Sequence, residues 1–194
     1  MSRTMYNTPL LRPLVAAVCR LCLFLRGWKL RGAAPSEHKY VMITVPHTSN
    51  WDFPLALAMA FVYGFEMRWM GKDALFAGWR GPIMRWLGGI AIDRSRANNM
   101  VAQMVAAFDA AERLIVAIPP EGTRSRVDNW KTGFYYIALG AKVPIALAFL
   151  DYREKVGGFL KTYVPTGDIT VDFAAIRACY AGISGRYLEK STVA

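Results

Sequence analysis

Histidine and cysteine are scarce in this sequence, with two histidines, His38 and His47, and three cysteines, Cys19, Cys22 and Cys179, in 194 residues. So small and odd a cysteine count excludes a disulfide framework and fits a reducing compartment. Cys19 and Cys22 have the spacing of a CxxC pair. They lie in the apolar run Leu14 to Leu25 with no second pair or histidine cluster nearby, and so read as buried or lipid-facing thiols rather than a metal or redox site. That run does not reach the ~20 apolar residues of a membrane-spanning helix, because Arg12, Arg20 and Arg26 interrupt it. No clean small-residue cleavage pattern follows it, so it reads as retained rather than as a signal peptide. Repeats, low-complexity tracts and Gly/Ser linkers are also missing, which leaves one domain of ordinary size.

Acidic residues are few as well. There are 14 Asp and Glu against 24 Lys and Arg, for a net charge of +10, and 54% of the chain is hydrophobic, with a mean hydropathy of +0.21. An apolar and basic chain suits a lipid surface. Charge alone suits nucleic acid equally, since both partners present dense phosphate. No recognition helix, zinc spacing or aromatic single-strand platform accompanies the basic residues, so nucleic acid is not expected as a partner. Pro9 to Leu30 reads as a helix whose arginines and Lys29 sit among Leu, Val, Phe and Trp28. That mixture suits a segment lodged at a lipid interface, and also a basic helix packed on its own domain. The polar break Arg31 to Lys39, with Pro35 and Ser36, separates an N-terminal arm (residues 1–38) from a body (residues 39–194).

Past Lys39, short β-rich runs alternate with helical stretches. Tyr40–Val45, Glu66–Met70, Gly89–Ile92, Leu114–Ile118 and Val143–Leu150 are predicted strands. Phe53–Tyr63, a region ending at Leu87, Ala97–Ala111 and Thr132–Gly140 are predicted helices. Asp151–Pro165 is expected to form a hairpin turning at Gly157 and Gly158, and Phe173–Tyr180 a closing helix. The alternation predicts an α/β fold, a mixed but mostly parallel sheet covered by helices, with the amphipathic N-terminal helix at a membrane interface.

The first chemical constellation, Pro46-His47-Thr48-Ser49-Asn50-Trp51-Asp52, falls just after an apolar strand and just before a helical run. Residues five apart diverge by about 140° around a regular helix, so His47 and Asp52 can meet only across a turn. Pro46 favours an extended residue before it, and Ser49 or Asn50 can cap the helix, which leaves His47 in the loop and Asp52 in the first turn. There the carboxylate accepts the imidazole Nδ1 proton and fixes the tautomer. It also stabilises the imidazolium formed when Nε2 takes a proton from a substrate hydroxyl, so that His47 acts as a general base. An arbitrary His-Asp pair can equally do no more than satisfy itself at the start of a helix. With no Gly-x-Ser-x-Gly elbow, and His38 the only other histidine, a covalent serine mechanism is disfavoured.

The second constellation, Pro119-Pro120-Glu121-Gly122-Thr123-Arg124-Ser125, also closes an apolar strand, which is where α/β sheets bind ligands. Gly122 lets backbone N–H groups approach an anion, Thr123 and Ser125 add hydroxyl donors, and Arg124 offers a planar fork for bidentate phosphate binding. Glu121 cannot attract phosphate; it either orients Arg124 or another base, or simply forms the turn. A third stretch runs from Lys72-Asp73 to Gly89-Ile90-Ala91-Ile92-Asp93-Arg94. It offers Lys72 and Arg94 as anion contacts, although a lone cation is usually only solvated.

Together, the His-to-Asp block, the Gly-x-x-x-Asp-Arg stretch, the Glu-Gly-Thr-Arg block and Val143-Pro144-Ile145 resemble the glycerolipid acyltransferases of the lysophosphatidic acid acyltransferase type. The blocks follow that family's order and span roughly Val41 to Phe149. The resemblance implies His47 as base with Asp52 behind it, and Arg94, Glu121, Gly122 and Arg124 at the acceptor phosphate with help from Lys72; Thr123 joins them as the hydroxyl donor read above. It places the fourth block on the acyl side. It also implies direct transfer, in which a glycerol hydroxyl attacks the thioester of acyl-CoA or acyl-carrier protein and expels the thiol, with no metal and no bound cofactor. In two places the sequence departs from the pattern. Pro119 stands where an aromatic is common, and Thr48-Ser49-Asn50-Trp51 is bulkier than the filling of many members.

The expected acceptor is 1-acylglycerol-3-phosphate, giving phosphatidic acid. A lyso-ornithine or glycosylated lysolipid would keep the chemistry with Arg124 on a different head group. The N-terminal segment is short beside members with full transmembrane anchors, which implies peripheral or monotopic attachment to an anionic membrane surface on its cytoplasmic face. Phe61–Met70 and Phe76–Trp86, rich in aromatics and Met, offer either a groove for the acyl chain or ordinary core. The alternative from another class is a non-catalytic basic membrane-binding module in which the His-Asp pair is structural.

Overall fold

Strands β1 (Lys29–Arg31), β2 (Lys39–Val45), β3 (Met67–Lys72), β4 (Gly89–Ile92), β5 (Leu114–Ala117), β6 (Ile145–Asp151) and β7 (Val156–Tyr163) form one sheet in the order β1-β7-β6-β2-β5-β3-β4. Every neighbouring pair is parallel except β6 with β7. The helices are α1 (Leu11–Leu25), α2 (Asp52–Tyr63), α3 (Arg80–Trp86), α4 (Ala97–Ala110), α5 (Gly133–Gly140) and α6 (Ile169–Ala178). This computed structural model describes residues 4–8, 11–93 and 97–191. The expected α/β fold, with a mostly parallel sheet flanked by helices, is the one found.

The central strands β2 and β6 are apolar along almost their whole length because helices cover both faces of the sheet. Alternate residues of β2 therefore enter two different cores. Val41, Ile43 and Val45 share one with Met104 and Phe108 of α4, Phe134 and Ile137 of α5 and Ile176 of α6. Tyr40 and Met42 share the other with Ala60 and Phe61 of α2, and Val15, Ala16 and Cys19 of α1 pack against it.

Four expectations about elements need correction. The first helix stops at Leu25 rather than Leu30: Gly27 adopts a left-handed φ of 73°, the chain reverses, and Lys29–Arg31 pair with β7 as an edge strand. Pro9 lies outside the described residues. The hairpin turns over residues 152–155, not at Gly157 and Gly158, which sit inside β7. Those glycines answer to packing: a Cβ at Gly157 would lie 2.5 Å from Met59 Cε, and one at Gly158 would collide with the Arg31 carbonyl. The helical region ending at Leu87 is instead a 3₁₀ turn, Asp73–Phe76, followed by α3. Finally, α6 starts four residues earlier than Phe173 because the Asp168 side chain caps it, accepting from the Thr170 and Val171 amides.

Candidate active site

Parallel strands bring their C-terminal ends to one edge of the sheet, and the loops that leave β2, β5 and β6 meet there. His47 follows β2 and keeps 20% of its side chain exposed. Its Nδ1 lies 3.0 Å from Asp52 Oδ2, and the same oxygen accepts the Thr48 and Ser49 amides, each at 2.9 Å. Tyr152, just past the end of β6, donates its hydroxyl to Asp52 Oδ1 at 2.6 Å. Burial opposes ionisation of Asp52, but the hydrogen bonds from His47, Tyr152 and Ser49 outweigh it and hold the carboxyl below its ordinary range. The carboxylate thus stays ionised and acceptor-only. Against an acceptor-only carboxylate Nδ1 is the donor, so in the neutral ring Nε2 is the acceptor nitrogen. Ser49 Oγ does accept the Trp51 amide at 3.2 Å, but α2 begins at Asp52 without a side-chain cap.

Glu121, just past β5, has 2% of its surface exposed. Its Oε1 accepts the His47 backbone amide at 3.1 Å, and its Oε2 has no partner among the described residues. Burial pushes its carboxyl above the ordinary range, while N–H groups of its own backbone and of His47 pull the other way. Among the described residues no ion pair joins Glu121 to Arg124. What Glu121 fixes is the loop carrying His47. Gly122 has a φ of 66°, and a Cβ there would lie 2.9 Å from Lys131 Cδ and Cε, so the Lys131 side chain is laid over this turn. The Lys131 amide donates to the Pro120 carbonyl at 2.8 Å and pins the loop. Thr123 and Arg124 are exposed.

Lys72, also exposed, ends β3. β3 lies beside β5 in the sheet, so Lys72 leaves it at the same edge as the Glu121 loop. Arg94 lies outside the described residues. His38 precedes β2, at the opposite end of the strand from the dyad. Val143-Pro144-Ile145 also lies at that far end, where the Pro144 carbonyl accepts the Val41 amide. The later residues Ala148, Phe149 and Leu150 of the strand it starts line a small, half-open apolar cavity together with Ala56, Met59 and Tyr63 of α2. Of the two segments expected to border an acyl groove, the first contributes Tyr63 and Phe65 to this cavity, and the second contributes nothing.

Sequence reasoning missed Tyr152, Trp51 and Lys131. Tyr152 follows β6 as His47 follows β2, and the register of Val45 with Phe149 puts Tyr152 level with the dyad loop. The pairing of β2 with β6 was the signal needed, and it is invisible without the fold.

The structure of the 1-acyl-sn-glycerophosphate (LPA) acyltransferase PlsC from Thermotoga maritima has a similar fold. The TM-score is 0.58 at 13% identity, over 87% of this chain and 76% of that one. No curated protein matches the sequence. The sequence profile of the Acyltransferase family matches residues 29–147, more than half of the 194 residues. On that match, the chain belongs to the Acyltransferase family.

Proposed function

We propose that this acyltransferase moves a fatty acyl group from a thioester, acyl-CoA or acyl-carrier protein, to the free hydroxyl of a lysophospholipid, most readily 1-acylglycerol-3-phosphate. The observation that carries the reading is the His47–Asp52 pair at 3.0 Å, with its carboxylate held by three more donors at the end of the central strand. Nε2 of His47 takes the acceptor's hydroxyl proton as the oxygen attacks the thioester carbonyl. The tetrahedral adduct then collapses, the C–S bond breaks, and the thiolate takes the proton back from the imidazolium. Asp52 stabilises that imidazolium. Gly122, Thr123 and Arg124 hold the acceptor's phosphate, with Lys72 and Arg94 as further cations, while Glu121 keeps His47 in place.

Membrane attachment belongs to the same proposal. Leu14, Val18, Leu21 and Leu25 form one exposed stripe of α1 at helical spacing, with Phe24 beside it, and α1 has no acidic residue in its first turn. Such a stripe, with Arg20 exposed on the same helix, suits a helix lying in the headgroup region of an anionic bilayer. No described helix is long and apolar enough to cross a membrane.

Thiol release from acyl-CoA with 1-acylglycerol-3-phosphate in liposomes tests the reading. His47→Ala should lower acceptor-dependent release by about 10²–10⁴-fold, the usual worth of a general base. Equal release by both proteins would sink it in favour of a binding module.

A further inference from the structure

The edge of the dyad loop facing away from Arg124 carries a second group of cations. Trp51, between His47 and Asp52 in sequence, is 50% exposed. The Arg26 guanidinium lies 5.9 Å from its ring centroid, and that of Arg186 lies 5.7 Å from it. Arg186 lies equally close to the ring of Tyr187, which also has Lys190 at 4.7 Å. These residues come from three distant parts of the chain: the end of α1, the dyad loop and the C-terminal segment.

That segment is fixed against the site. The Tyr187 amide donates to Thr48 Oγ1 at 3.3 Å, the Tyr152 amide donates to the Ser184 carbonyl at 2.8 Å, and a Cβ on Gly185 would lie 2.7 Å from Thr48 Cγ2. Arg186 is therefore held beside the dyad, close enough for its charge to act on Tyr152. Among the described residues the ion pairs are His47–Asp52, Arg68–Glu66 and Arg153–Glu154, so no carboxylate neutralises Arg26 or Arg186. A guanidinium held over an aromatic ring face by cation–π attraction still has N–H donors to offer, and a guanidinium fork can grip phosphate bidentately.

We propose that Arg26, Trp51 and Arg186 form the site for the phosphate groups of the acyl donor. This rests on the acyl-transfer reading above and deepens it. In the sheet order, β2 stands between β6 and β5, with Tyr152 and Arg186 grouped on the β6 side and Glu121 to Arg124 on the β5 side. A donor anchored on the first side and an acceptor anchored on the second would meet at His47, each phosphate with its own cations.

The test is calorimetric binding of coenzyme A to the full chain in a neutral detergent, with phosphate-free pantetheine as the companion probe. Wild type should bind coenzyme A and not measurably pantetheine. Arg186→Ala and Trp51→Ala should each weaken binding by about tenfold or more, as expected for loss of a charge-assisted contact, and Arg186→Lys by less. In the transfer assay these variants should raise the KM for acyl-CoA and leave that for the lysolipid unchanged. No binding by wild type, or binding that both alanine variants retain, overturns the proposal. So does a loss confined to cosedimentation with anionic vesicles, which would make the cluster a lipid headgroup site. Coenzyme A binding that depends on Arg186 in a chain that transfers nothing to a lysolipid would support this site and reject the acceptor assignment instead.

Discussion

Asp52 in the first turn of α2 and Asp172 in the first turn of α6 are both almost wholly buried, at 2% and 0% exposure. Each is surrounded by donors. Asp52 accepts from two backbone amides, the Tyr152 hydroxyl and His47. Asp172 accepts from the hydroxyls of Tyr135, Tyr163 and Thr166 and from the Thr166 amide, at 2.7–2.9 Å. In both, burial opposes ionisation and hydrogen bonds overcome it; the carboxyl of Asp172 is held down to about 2. The difference is one partner. Asp172 stands among hydroxyls, whose tyrosines its charge drives further from titration, that of Tyr163 to about 12. Asp52 alone faces an imidazole, a group that exchanges protons near neutral pH. Both aspartates are thus held ionised by their donors, and on the proposed reading it is the histidine that puts the charge of Asp52 to chemical use.

The sharpest way to break the comparison is to make the same change at both positions. Asp52→Asn should cut turnover by roughly 10³–10⁴-fold, since an amide that donates to Nδ1 selects the wrong tautomer. Asp172→Asn should leave turnover of the folded protein within about twofold. It should nevertheless lower stability by about 1.5–3 kcal/mol through the lost charge-assisted bonds, as read by denaturant unfolding. Because the folded pKa of Asp172 lies below the unfolded value of about 3.9, its contribution is complete above pH ~4 and disappears as pH falls toward 2. The stability gap between wild type and Asp172→Asn should close over that window. A gap that stayed constant down to pH 2 would show that the asparagine acts through shape and not charge.

A milder cut removes one hydroxyl from each cluster. Tyr152→Phe should lower kcat by about 5–20-fold with little change in either KM, because the bond it loses orients Asp52 and touches no substrate. Tyr163→Phe should leave kcat alone and cost only stability. If Tyr152→Phe changed stability and not kcat, Tyr152 would belong with Tyr163 as a support of the fold.

Much of this was legible before folding, and the illegible part has a pattern. The strands β2, β5 and β6 are written as apolar runs, and the His47–Asp52 and Glu121–Arg124 blocks follow two of them directly, so the reactive edge of the sheet could be drawn from local sequence. The contacts that joined these blocks could not. Glu121 reaches His47 across 74 residues and Tyr152 reaches Asp52 across 100, and both depend on which strands lie beside β2. The same blindness hid the Asp172 cluster and moved the hairpin turn, because Gly157 and Gly158 answer to Met59 and Arg31 rather than to a turn of their own. Local pattern identified the family's blocks, while strand order determined which residues stand beside them.

Glu121 offers the smallest and most discriminating change, because it is a third buried carboxyl that resembles neither aspartate. Burial pushes its pKa up, and the amides of Glu121 and His47 do not compensate. The native state therefore holds its proton where the unfolded chain has lost it, and stability falls as pH rises from about 4.3 through the raised folded value. Glu121→Gln keeps an oxygen for the His47 amide but cannot ionise. It should melt like wild type below that window and at or slightly above wild type beyond it, whereas Glu121→Ala, which orphans the amide, should melt lower at every pH by the equivalent of about 1–3 kcal/mol. A Gln variant that melts below wild type at pH 8 would mean that the ionised Glu121 is stabilised by a charge on its loop. The carboxylate would then belong with Asp52 as part of the site's charge balance, and its part would go beyond anchoring the backbone of His47.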